Sequence, residues 1–136
     1  MYPKFFLRGI SREDFIKNGF VTIAVFQFDD DAREDGYREL SINWYDDDDS
    51  LTELLSQLNK KGCIQFTGGA TKMLLSEVKN FMSPFIQNKL FSFERKEIEN
   101  NKYHGNLLIY NSVTKQEKAM IQNSLAMIAS KNIITK

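Results

Sequence analysis

A chain of 136 residues that is 42% hydrophobic and carries eleven Phe can close one core unaided. One domain, residues 1–136, is therefore expected, and disorder is excluded. Its one cysteine, Cys63, rules out an intramolecular disulfide, and the eighteen Lys or Arg offset by eighteen Asp or Glu argue against a strongly basic surface.

The zero net charge hides a split. Between Asp29 and Glu53 lie eleven acidic residues against Arg33 and Arg38, a window of −9. The rest of the chain carries +9. Such a dipole can steer a partner or pair with a copy of itself. No stretch reaches the roughly 20 apolar residues that span a bilayer. Arg8, Arg12 and Glu13 interrupt the N-terminal region in a way that a signal peptide would not. The expected location is the cytoplasm.

In chain order, residues 4–8 read as a short strand, and Ser11 as the cap of a helical turn that Gly19 ends. Residues 20–28, β-branched and aromatic on both faces, predict a central strand. Residues 37–45 alternate: Leu40, Ile42 and Trp44 point one way, and Glu39, Ser41 and Asn43 the other, toward solvent or a ligand. Ser50 with Glu53 reads as a capping box, and Leu51, Leu54, Leu55 and Leu58 form the apolar stripe of a helix near 51–60. Residues 63–66 and 70–75 predict strands meeting at Gly68-Gly69, either as a hairpin or as one bulged strand. A short helix over 76–81 is closed by Ser83-Pro84. Strands follow at 90–98 and 106–110. Thr114 and Glu117 form a second capping box, opening a helix to about 130 whose Ile121, Leu125 and Ile128 face the core. Without a regular βαβ repeat, the expectation is an α+β domain with a largely antiparallel sheet of about five or six strands and two main helices.

The motifs do not complete any reaction centre. An EF-hand loop opening at Asp46 fails where Gly and Glu are needed, at Leu51 and Gln57. Asp46, Asp47, Asp48 and Asp49, with Glu39, are instead candidate binding residues for a basic surface, and four carboxylates also suit the start of a helix. A metal-dependent hydrolase would need several of these aspartates to converge. His104, the only histidine, is the one side chain suited to proton transfer near neutrality. With Arg8, Arg95 and Tyr103 as helpers it makes the alternative candidate site, a small enzyme acting on a phosphate-containing or nucleic-acid substrate. The competing reading is a histidine that anchors a turn.

Thr67 to Lys72 lacks the spacing of a phosphate loop. The short Glu-x-Lys matches at Glu77 and Glu94, half of a nuclease site, are expected by chance in a chain 26% charged, the second lacks a clear upstream aspartate, and Cys63 reads as a small buried residue. One histidine with one cysteine cannot build a typical zinc site, so no metal or cofactor is implied. The dispersed basic residues argue against nonspecific nucleic-acid binding but leave a local patch open. The leading expectation is a binding or accessory module acting through protein–protein contacts, with a partner protein or a second copy of itself.

Overall fold

The computed structural model describes residues 2–135. It is a single-domain α+β fold around a six-stranded antiparallel sheet of order β6-β7-β4-β1-β5-β8. The strands are β1 (Phe5–Gly9), β4 (Tyr37–Trp44), β5 (Ala70–Leu74), β6 (Phe91–Arg95), β7 (His104–Tyr110) and β8 (Ile133–Ile134). Two two-residue strands, β2 (Ile16–Lys17) and β3 (Phe20–Val21), form a separate hairpin. The helices are α1 (Asp48–Ser56), α2 (Leu75–Phe81), α3 (Ser83–Gln87) and α4 (Lys115–Ala129).

Alternation along β4 sorts the two faces. Leu40, Ile42 and Trp44 enter the main core with Phe6, Met73, Phe91, Leu107 and Ile109, beneath Ile121, Leu125 and Ile128 of α4. The capping box at Thr114 and Glu117 opens α4 as expected. On the opposite face α1 packs against β1 and the end of β4, and its Leu54 joins Phe66 on Leu7 and Ala70. The second face of β4, β7 and β6 carries mainly polar side chains, with Leu108 a buried apolar exception. Trp44 ties the core face together: its indole passes over Gly105 to donate to the Glu94 carbonyl at 3.1 Å. A Cβ on Gly105 would sit 2.3 Å from Trp44 Nε1, so only glycine fits there.

Five local expectations are corrected. Residues 20–28 are not a central strand. After β3 they turn into a 3-10 helix, Ile23–Phe26, in which Val25 and Phe26 are buried. A short run that is apolar all round reports burial, not conformation. Its free carbonyls are met by side chains instead of a neighbouring strand: Gln122 Nε2 donates to Phe26 O at 2.8 Å and Arg8 Nε to Val25 O at 2.8 Å. Gly19 does not end a helix, nor does Ser11 cap one. The 3-10 turn Glu13–Phe15 starts after Arg12, and Asn18 and Gly19 (φ +54° and +78°) form the tight β2–β3 turn.

Asp47, not Ser50, caps α1, accepting from the Asp49 N–H at 3.0 Å, so the helix starts earlier and ends at Ser56. Residues 63–66 contribute only an isolated bridge, Leu58 to Ile64, and Cys63 there is exposed. Finally, Pro84 opens α3 and does not close α2, since proline suits a first helical turn. Among the described residues, no helix is long and apolar enough to cross a membrane.

Replacing Leu125, fully buried under α4, by Ala is expected to cost about 2–5 kcal/mol in urea unfolding. Met127→Ala on the same helix, at a side chain 51% exposed, is expected to stay within about 0.5 kcal/mol of wild type.

Candidate functional site

The polar half of the sheet forms a cleft of about 460 Å³. Its floor holds Arg8, Ser41 and Asn43, one wall is α1 with Glu53 and Gln57, and another is the β6–β7 loop with Glu99, Asn100 and Asn101. His104, the first residue of β7, stands at the loop end of the floor.

A split in the ladder opens this cleft. Strand β4 pairs with β7 over seven residues, from Tyr37–Tyr110 to Asn43–His104, but with β1 only through Phe6–Trp44 and Leu7–Asn43. Past Leu7, β1 keeps its bonds to β5 and leaves β4. The carbonyls on that edge of β4 must find other donors. Tyr37 O accepts from Arg33 N at 2.8 Å and Glu39 O from Asp29 N at 2.9 Å. Ser41 O accepts from Arg8 Nη1 at 2.9 Å. The Arg8 guanidinium thus takes the place of a missing strand, bridging Ser41 O to Val25 O. Desolvation in the split lowers its pKa to about 10, against the opposing attraction of Asp29. It remains a cation at neutral pH, without an ion pair among the described residues.

His104 Nδ1 lies 2.8 Å from Lys96 O, which makes that nitrogen the donor. In the neutral ring Nε2 is then the acceptor, 3.3 Å from Ser41 Oγ. Arg8 and His104 therefore meet on one residue, Ser41, which the alternation of β4 had already turned to this face. Beside them Asn101 Nδ2 donates to Asn43 Oδ1 at 2.9 Å, and Asn43 Nδ2 to Ser50 O at 3.2 Å, joining floor, loop and helix. Nothing in the sequence singled out Asn101. Its role depends on a loop closing over β4, which no local pattern encodes.

The other candidate residues lie elsewhere. Arg95 pairs with Asp46, with Nη1 2.9 Å from Oδ1. That hydrogen bond holds the Asp46 carboxyl below its ordinary range and raises the Arg95 guanidinium. The Tyr103 hydroxyl donates to Asp47 at 3.2 Å, and burial followed by that bond raises it. Tyr45 donates to Asp48. Asp46, Asp47 and Asp48 are thus fanned out over separate donors at the mouth of α1, and the Asp49 carboxylate has no side-chain partner among the described residues. Glu39 is held by Arg33 at 3.2 Å, and the same guanidinium binds Glu94 and Asp35 at 2.5 Å each. Asp35, hydrogen-bonded by Arg33, is lowered, and Arg33 is raised by it.

Of the eleven acidic residues in the 29–53 window, only Asp35, Glu39 and Asp46 are ion-paired among the described residues. Glu53 and Glu99, on two walls of the cleft, have neither an ion pair nor a side-chain hydrogen bond there.

Arg8→Met leaves the carbonyl of buried Val25 without its donor, while the carbonyl of exposed Ser41 can turn to water, and is expected to lose about 1–3 kcal/mol in urea unfolding. Arg8→Lys recovers only part of this, because one ammonium cannot span both carbonyls as a guanidinium fork does. The Asp46–Arg95 pair carries a pH signature. A carboxyl lowered by folding contributes stability above its unfolded pKa, about 3.9, and loses it as pH falls through the folded value. The stability gap between wild type and Asp46→Asn should therefore be full at pH 6 and close on titration below about pH 4.

No protein-family model, curated protein or solved structure matches this chain.

Proposed function

We propose that this protein is a cytoplasmic binding module that takes a basic, extended segment of a partner protein, or of a second copy, into the cleft between α1 and the β6–β7 loop. One observation carries the reading. Glu53 and Glu99 stand on two walls of a concave, amide-lined surface, and neither carboxylate has a partner of its own among the described residues. Carboxylates in a concave surface focus field on an incoming cation. Asn100, Gln57 and Gln65 supply both donors and acceptors of the kind that read a peptide backbone, while the mutually bonded Asn43 and Asn101 hold the floor and loop together beneath them. Asp29, Asp30, Asp31 and Asp49, without ion pairs among the described residues, extend the negative field beyond the cleft and favour fast, salt-sensitive encounter.

A hydrolytic reading of the same cleft draws on the meeting of Arg8 and His104 at Ser41. His104 Nε2 would act as a general base toward the Ser41 hydroxyl or a water, with Arg8 as the cation beside a phosphate. Two features weigh against it. Two Arg8 donors are already spent on carbonyls, and Arg95 and Tyr103 are engaged with aspartates. Loss of a measured phosphodiesterase or phosphatase turnover in His104→Ala, with folding intact, would move the preference to this reading.

Titrating ¹⁵N-labelled protein with a hexalysine peptide tests the binding reading. Shifts should concentrate on the amides of Ser41, Asn43, Glu53, Glu99 and His104, and hexaglutamate should leave them still. The double variant E53Q/E99Q should weaken hexalysine about tenfold, the sum of two partly exposed ion pairs near 0.7 kcal/mol each. Shifts confined to the Asp29–Asp31 loop, or an unchanged affinity in E53Q/E99Q, would refute the cleft as the site.

A further inference from the structure

A second concavity lies on the other face of the sheet, where β4 begins and α4 starts. It measures about 340 Å³ and is lined by Arg38, Ile109, Tyr110, Asn111, Val113, Lys115 and Lys118. Three cations and, among the described residues, no carboxylate line it. From this cluster we propose that the cavity is an oxyanion site for a dianionic phosphate group, either free phosphate or a small phosphomonoester.

The argument begins with Arg38. Its position in β4 gives it the same orientation as Leu40, Ile42 and Trp44, toward the core face that α4 covers. An inward strand position ordinarily takes an apolar residue, and a charge there is a departure from the local rule that points to use. Arg38 Nε is buried without a hydrogen-bond partner. No other guanidinium donor of Arg38 has one among the described residues either, and the residue makes no ion pair there. Arg8 and Arg33, by contrast, have bonds to carbonyls or carboxylates. A buried donor without an acceptor is costly, and proteins retain few of them.

Lys115 and Lys118, three residues apart in the first turns of α4, fall on one side of the helix and line the same space. Neither has an ion pair among the described residues. Glu117, the nearest carboxylate in sequence, is committed to the cap, accepting from Thr114 N at 2.9 Å, and does not line the cavity. A guanidinium with its donors free and two ammonium groups match the charge and the oxygens of a phosphate dianion better than a single carboxylate. The acidic cleft described above lies on the opposite face, so the two proposals stand separately.

The test is thermal unfolding and ³¹P line broadening with inorganic phosphate, glycerol phosphate and dimethyl phosphate, each against chloride at matched ionic strength. A ligand held only by the folded state must raise Tm with its concentration. Inorganic phosphate is expected to raise Tm and broaden its ³¹P signal. A matching response to glycerol phosphate identifies a monoester site, and none identifies free phosphate. Dimethyl phosphate, a monoanion, should do neither. Arg38→Gln, and separately the surface pair K115Q/K118Q, should each weaken the response about tenfold or more. If Arg38→Gln does not fold, the lysine pair decides alone. The proposal falls if phosphate has no effect beyond chloride, if the diester acts as strongly as phosphate, or if K115Q/K118Q responds like wild type.

Discussion

Strand β4 meets β7 along nearly its whole length and β1 along only two pairs, and this inequality shapes the polar side of the molecule. Backbone carbonyls cannot be left unmet in a packed protein. Where β1 departs, the edge of β4 recruits the Asp29 and Arg33 amides and then the Arg8 guanidinium. Because a side chain bridges the gap where a strand would have filled it, the sheet surface there is concave. The cleft, the positions of Ser41 and Asn43 on its floor, and the desolvated cation at its back all follow from one interrupted ladder.

The two faces of β4 then serve different ends. Apolar positions lock the strand under α4, where Trp44 reaches across Gly105 to β6 and fixes three strands to one another. Opposite them, the apolar cluster under α1 reaches only the β1 side and the end of β4, which leaves the rest of β4 with β6 and β7 to Arg33, Asn106, Glu94 and the cleft. The acidic window divides accordingly. Some of its carboxylates brace the fold through Arg33 and Arg95, and the remainder are left facing solvent or the cleft. The charge split is thus partly structural and partly available for recognition.

Periodic segments were legible in the sequence, and segments defined by tertiary closure were not. The alternation at 37–45 marked both the core and the polar floor, and the Thr114–Glu117 pair marked the start of α4. Residues 20–28 misled because burial from all sides comes equally from a strand or from a 3-10 turn held by Arg8 and Gln122. Strand β8 is too short to carry a period, and Cys63 was read as buried from its type although its loop is exposed. His104 and Arg8 stood out by chemistry. That they meet at Ser41 depends on where β1 leaves β4, a property of pairing, not of either segment.

Arginine side-chain NMR gives the most direct test of this account, since the cleft exists only if Arg8 is held in the split. In a ¹H–¹⁵N spectrum of the Nε–H groups at neutral pH, Arg8 should show slow exchange with water and a measurable coupling through its hydrogen bond to the Val25 carbonyl. Arg12, whose side chain is 65% exposed and whose Nε–H bonds only to the exposed Asp14 carboxylate, provides the faster-exchanging reference. An Arg8 Nε–H that exchanges as fast as that of Arg12, with no coupling, would mean that the gap is not bridged and that the cleft floor is not as described.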